Sequence, residues 1–155
     1  MDAWVEVRFG TTADAGLLAQ MLHDFNLEFG DPSPGVEILQ RRVSTFIEDG
    51  RMTYLVAGNG PDGFAQISFR PSVWAEGPVG YIEELYVKPD RRGRGIGNAL
   101  MTAIFDECHR QKAPGIELVT GEDDTGARAL YEKFGFKNEI EGTKNARSLF
   151  YEINF

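Results

Sequence analysis

Apolar and polar positions nearly alternate over Trp4–Phe9 (WVEVRF), the period of a β-strand with two unlike faces. Gly10-Thr11-Thr12 breaks the alternation, and either threonine suits the cap of a helix. Leu17, Leu18, Met21, Leu22 and Phe25 then recur at helical spacing. Turn residues fill Gly30-Asp31-Pro32-Ser33-Pro34-Gly35. A second helix carries Val36, Leu39, Val43, Phe46 and Ile47 on one stripe and closes at Asp49-Gly50. The middle of the chain predicts three strands, Met52–Ala57, Phe64–Arg70 and Val79–Val87, the first two joined by the turn Asn59-Gly60-Pro61-Asp62-Gly63. A helix follows from Gly97 to Lys112, halted by Ala113-Pro114-Gly115. Ile116–Thr120 reads as a short strand. Thr125–Phe134 reads as a helix capped by Gly135, and Phe150–Phe155 as a last strand, with one more strand compatible with Lys137–Ile140. The order βααβββαβαβ describes a single α/β (α+β) domain over residues 1–155.

The 155-residue length suits one domain, and a 42% hydrophobic share with eleven phenylalanines supplies an aromatic-rich core. A formal charge of -8 opposes broad nucleic-acid binding and favours cationic partners. The single cysteine, Cys108, forms no intrachain disulfide, which points to a reducing compartment. With His23 and His109 it makes no common zinc pattern, so no metal is expected. No signal peptide follows Met1-Asp2, and no run of ~18 apolar residues spans a membrane. A cytoplasmic protein is the expectation.

The most informative stretch is Tyr81-Ile82-Glu83-Glu84-Leu85-Tyr86-Val87-Lys88-Pro89-Asp90-Arg91-Arg92-Gly93-Arg94-Gly95-Ile96-Gly97-Asn98. A strand ends, and three alternate glycines lead straight into a helix. Glycines let backbone N–H groups converge on an anion at the positive end of the helix dipole. Lys88, Arg91, Arg92 and Arg94 against Asp90 give a local charge of +3, suited to a pyrophosphate. A dinucleotide fingerprint is excluded, because its last glycine would fall on Asn98 or Leu100, and a P-loop lacks its Gly-Lys-Ser/Thr.

The register Arg92-x-x-Gly95-x-Gly97 resembles the acetyl-coenzyme A motif of the GNAT N-acetyltransferase superfamily, Arg/Gln-x-x-Gly-x-Gly/Ala after the fourth strand. Asp124-Thr125-Gly126-Ala127-Arg128-Ala129-Leu130-Tyr131-Glu132-Lys133-Phe134-Gly135-Phe136 resembles the family's second signature, Asn-x-x-Ala-x-x-Leu-Tyr-x-x-x-Gly-Phe. Val7-Arg8 with Asp14, Leu17 and Leu18 is similar to its first strand and helix. The resemblance implies a mixed central sheet of about six to seven strands flanked by about four helices. It implies acetyl-coenzyme A as co-substrate, held by Leu85, Tyr86, Val87, Arg92, Gly93, Arg94, Gly95, Ile96, Gly97, Asn98, Asp124, Ala127 and Tyr131, with the pantetheine beside Leu85–Val87 like an added strand. Asp124 departs from the family's Asn; its carboxylate accepts a hydrogen bond but donates none.

Acetyl transfer to an amine requires a base, a polarised thioester carbonyl and an acid for the leaving thiolate. Glu83 and Glu84 are the candidate bases. Adjacent strand residues face opposite ways, so only one of them looks into a cleft. The run Ile-Glu-Glu-Leu-Tyr-Val resembles the Leu-Glu-Asp-Phe-Phe-Val of polyamine acetyltransferases, a register that favours Glu83, while a bulge common to the family would undo the parity. Periodicity puts Tyr131 on the buried stripe of its helix with Ala127, Leu130 and Phe134; the family match makes it the acid. Cys108 lies on the core stripe Leu100, Ala103, Ile104. Phe25, Glu28, Phe29, Trp74, Glu76 and Tyr81 are the family-implied acceptor-site residues. The leading expectation is an enzyme acetylating a primary amine of a small cationic molecule through a ternary complex. The alternatives are a protein or peptide N-acetyltransferase and a non-catalytic acyl-coenzyme A sensor. The aromatic C-terminal strand offers an edge through which two copies would pair into a homodimer.

Overall fold

Five strands carry the frame of this computed structural model, which describes residues 4–155. Met1 and Asp2, on which the leader expectation partly rests, lie outside the described residues. β1 (Val7–Phe9), β2 (Thr53–Ala57), β3 (Gly63–Arg70) and β4 (Val79–Val87) pair antiparallel in chain order, and β5 (Ile116–Leu118) joins β4 in parallel. Between them run α1 (Ala15–Glu28), α2 (Val36–Glu48) and α3 (Ile96–Arg110); α4 (Thr125–Lys133) follows β5. The backbone forms two compact units, one ending at Leu118 and one comprising Val119–Phe155.

In the first unit, α1 and α2 cover one face of the sheet. Leu18, Met21 and Val43 are buried there against Tyr54, Val56, Phe64 and Tyr86. Each fully buried side chain of this size stabilises the fold by about 1.5–3 kcal/mol. The other face meets α3 through Ile96, Leu100, Met101, Ile104 and Cys108. Gly63 is required by this packing, because a Cβ there would lie 2.7 Å from the Tyr86 carbonyl oxygen and 3.2 Å from Ile96 Cγ2. Entry to α1 is fixed by Asp14, whose carboxylate accepts two bonds from the Arg8 guanidinium (2.7 and 2.8 Å) and one from the Thr11 N–H (2.8 Å).

In the second unit, α4 starts at Asp124, whose Oδ1 accepts the Ala127 N–H at 3.1 Å. It ends on Gly135 at φ 90°, with Gly135 N–H on Glu132 O (3.0 Å) and Phe136 N–H on Tyr131 O (3.0 Å). This is a Schellman cap, and the Tyr131 and Phe136 rings, 5.8 Å apart, supply its apolar contact.

The strand count differs from expectation. The Lys137–Ile140 region contributes one antiparallel bridge, Glu139 to Arg147, flanked by Ile140 N–H on Ala146 O and Ser148 N–H on Asn138 O. Phe150–Phe155 forms no strand, and all six residues are exposed. Alternation shows that a segment can serve as a strand. A strand also needs a ladder partner, which this segment lacks among the described residues. The edge expected to pair two copies is therefore not formed.

Candidate active site

β3 and β4 lose register beside Gln66, which opposes Glu84, while its neighbour Ile67 opposes Ile82. Glu83 is the extra residue of this β-bulge. A bulge breaks the two-residue alternation, so the parity that separates Glu83 from Glu84 does not hold here. Phe64, Gln66 and Ser68 share the face covered by α1 and α2, and Glu84, opposite Gln66, lies on that face too. Glu83 joins it, because its Oε1 accepts the Ser68 hydroxyl at 2.5 Å. The bulge thus brings both carboxylates to one face, where the alternation argument allows one.

Their environments differ. Glu83 is exposed, while Glu84 is largely buried. Burial first, and the negative charge of Glu83 second, push the Glu84 carboxyl up to about 7. Such a group carries a proton and releases it near neutrality, as a general base requires.

Beyond the bulge, β4 has an open edge. β5 pairs only with Gly80–Ile82, and no strand of the described residues continues alongside Leu85–Val87 on that side. Lys88 donates its N–H toward β3, to Asp62 O at 2.9 Å, so alternation turns the N–H groups of Leu85 and Val87 outward. The Val87 carbonyl also points outward, where it accepts Arg92 Nε at 2.9 Å. The Tyr86 side chain is core, packed on Phe25 (ring centroids 5.2 Å apart) and Phe64.

The glycine loop follows a 3-10 turn over Pro89–Arg91. Gly93 and Gly95 sit at φ 73° and 81°, and a Cβ on either would meet nothing within 4 Å. Glycine is needed at both positions for the left-handed backbone rather than for packing. The first helical bond of α3 is Ala99 N–H to Gly95 O at 3.0 Å, so the N–H groups of Ile96 and Gly97 precede the ladder at the positive end of the dipole. This loop and helix start fit a phosphate, through backbone donors. The side-chain charge is smaller than the local sequence suggests. Arg92 makes a two-pronged pair with Glu28 of α1 (2.6 and 2.8 Å), and Arg91 lies 3.5 Å from both Asp62 and Asp90. Glu28 and Asp62 bring the local charge from +3 to +1, because the fold imports carboxylates from distant segments.

The other sequence candidates divide clearly. Asp124, Ala127 and Tyr131 stand on α4 in the second unit, with Asp124 used as the helix cap. Glu28 is tied to Arg92, Tyr81 lies under the Arg70 guanidinium at 4.7 Å, and Trp74 is 94% exposed. His23 shares a hydrogen bond with the Ser33 hydroxyl at 2.7 Å. Burial pushes the Cys108 thiol up to about 11, which removes it as a nucleophile at neutral pH. Sequence reasoning missed Tyr54, Gln66 and Ser68, three polar residues on the buried strands β2 and β3. Their signal was present as polar interruptions of apolar runs.

The model of the acetyltransferase (GNAT) family matches residues 18–136, and the chain belongs to that family. The family is one of acetyltransferases, and a structural neighbour from Clostridium acetobutylicum was solved with acetyl-coenzyme A. Among solved structures it is similar to one assigned as an acetyltransferase from Arthrobacter sp. FB24, at 41% identity over 97% of this chain and 96% of that one, with a TM-score of 0.89. It is 28% identical over 137 residues to the aminoglycoside N(6')-acetyltransferase type 1 of Stenotrophomonas maltophilia, covering 84% of this chain and 85% of that protein. An uncharacterised N-acetyltransferase of Methanocaldococcus jannaschii is 36% identical over 61 residues, and the chain spans only 27% of its length.

Proposed function

We propose that this enzyme acetylates a primary amine of a small cationic molecule, with Glu84 as the general base. The observation that carries the reading is the bulge, which sets a largely, not fully, buried carboxyl titrating near 7 beside a second carboxylate. The net charge of -8 and the aminoglycoside-acetylating relative support a cationic acceptor. The Glu83 register resembles polyamine acetyltransferases, which favours Glu83 as base. Burial favours Glu84, and Glu83 then acts by raising its neighbour's pKa.

Co-substrate seating is assigned to backbone donors of the loop Arg92–Gly95, to the first turn of α3 at Ile96, Gly97 and Asn98, and to the open edge at Leu85–Val87. Bound acetyl-coenzyme A supplies a thioester carbonyl. Outward N–H groups of Leu85 and Val87 are suited to polarise that carbonyl. Glu84 takes one proton from the ammonium and passes it to solvent. The amine lone pair forms the C–N bond while the C–S bond breaks. The departing sulfur gains one proton and the acylated nitrogen loses one, and the family motif assigns the acid role to Tyr131.

Calorimetric titration with acetyl-coenzyme A tests the seat. The parent is expected to bind saturably, and Gly95→Asp, which puts a side chain and a charge into the left-handed turn, to lose binding. A pH–rate profile tests the chemistry, with an acid limb near 7 in the parent that disappears in Glu84→Gln. Binding without turnover across a broad amine panel would overturn the enzyme reading in favour of a sensor.

A further inference from the structure

Three polar side chains stand in one cross-strand row on the face covered by α1 and α2: Tyr54 of β2, Gln66 of β3 and Glu84 of β4. Tyr54 is 2% exposed and Gln66 9%. Among the described residues, neither the Tyr54 hydroxyl nor the Gln66 carboxamide has a hydrogen-bond partner in the protein, yet no sealed polar side-chain atom lacks one. Both polar tips therefore reach solvent from stems that are buried. Their neighbours along the strands, Val56, Phe64 and Tyr86, are core. Burial raises the Tyr54 phenol above its ordinary range, and the next causes are the charges of Glu84 and then Glu83, so its ring lies within electrostatic reach of both carboxylates. At the usual strand spacing the outer two Cα atoms of the row are roughly 10 Å apart, a span for one small polar group.

We infer that Tyr54 and Gln66 are the specificity-determining residues of the acceptor site, holding a primary ammonium against Glu84. The inference rests on the reading of Glu84 as base and extends it to substrate recognition. A primary ammonium has three N–H donors. The row offers three acceptors: the phenolic oxygen, the carboxamide oxygen and the carboxylate. Two of these donors are held by neutral groups while the third proton goes to Glu84. A secondary ammonium has only two N–H donors and leaves one acceptor, cut off from water by the bound amine, unpaired, a mismatch by which polar sites discriminate strongly.

The test compares the parent with Tyr54→Phe and Gln66→Leu, both near-isosteric, using spermidine, kanamycin and the isomers pentylamine and N-methylbutylamine as amine probes. Calorimetry on the coenzyme A complex reads amine binding, steady-state kinetics read KM, and thermal melting verifies the fold. Each variant is expected to raise KM or Kd for the primary amines about tenfold, the loss of one hydrogen bond to a charged group. Affinity for acetyl-coenzyme A should stay within twofold, and the preference for pentylamine over its secondary isomer should shrink. Unchanged amine KM in both variants overturns the seat while leaving the transferase reading intact. Amine binding that the variants lose, in a parent without turnover, supports the seat and removes the transferase reading. A parent complex that binds none of the probes overturns the seat outright. Should Gln66→Leu fail to fold, Tyr54→Phe, which removes only an oxygen, decides alone.

Discussion

Glu84 gives the candidate active site a property that stability alone would select against. Its carboxyl titrates near 7, against an ordinary value of 4.5, because it is largely buried and Glu83 lies beside it. The unfolded chain releases this proton first as pH rises, so the native state holds more protons between about 4.5 and 7, and stability falls across that window. Glu84→Gln is therefore expected to melt higher than the parent at pH 8, with the gain vanishing near pH 4. For a chain of this length each kcal/mol appears as roughly 2–4 °C in Tm. The same variant should lose about 10²–10⁴ in kcat, the usual contribution of a general base. Glu83→Gln separates the two carboxylates. Removing the like charge lowers the Glu84 pKa, so the acid limb of the rate profile should move to lower pH while turnover persists. A limb that stays in place would deny Glu83 its electrostatic role, and a rate as low as that of Glu84→Gln would make Glu83 the base. Ser68, which donates to Glu83 at 2.5 Å, holds that charge in position.

Secondary structure was readable where a local pattern also met a tertiary partner; the apolar segment Phe150–Phe155, which has no ladder partner among the described residues, formed no strand. β4 matches its expected bounds, Val79–Val87, because apolar residues bounded by turn formers specify a strand directly. α3 and α4 match to within two residues at their ends, and Gly135 caps α4 as its position suggests. The bulge was not readable from the residues, because a shifted register belongs to two strands at once and Glu83-Glu84 looks the same with or without it. Arg92 pairs with Glu28, 64 residues away, so the partial neutralisation of the loop was equally hidden. The Tyr54–Gln66–Glu84 row needs three strands to be aligned before it exists. Two predictions belong to this scale. Gly95→Ala forces an L-residue into φ 81°, at a cost of about 1–2 kcal/mol, and should weaken acetyl-coenzyme A binding at least tenfold in a protein that still melts cooperatively. Asp14→Asn removes the anion that Arg8 and Thr11 hold well below the usual carboxylate range. Its stabilisation is fully present above the ordinary Asp pKa and is lost progressively as pH falls from that value through the lower folded one. The variant should therefore be less stable than the parent at pH 7, by about 1–3 kcal/mol in urea, with the gap closing in acid.

At the scale of the whole molecule, two features act on an approaching amine by different physics. The charge of -8 acts at long range and concentrates cations around the protein before any contact is made. The carboxylate pair and its polar row act only at contact, in a partly buried place that salt screens weakly. Ionic strength separates them. Between low salt and 0.2 M, where the Debye length falls below about 10 Å, kcat/KM for a polycationic acceptor such as spermidine is expected to drop several-fold. The value of kcat at saturation should hold nearly constant, because the bound ammonium is already paired. An aromatic amine that is uncharged at neutral pH gains nothing from steering and should show a flat salt dependence on the same enzyme. Equal salt dependence for the charged and uncharged acceptors would place all of the recognition in the contact row and leave the acidic surface without a part in substrate capture. A rise in kcat/KM for spermidine with salt would mean that the amine approaches through a positive field, which the net charge of -8 and the paired carboxylates Glu83 and Glu84 argue against.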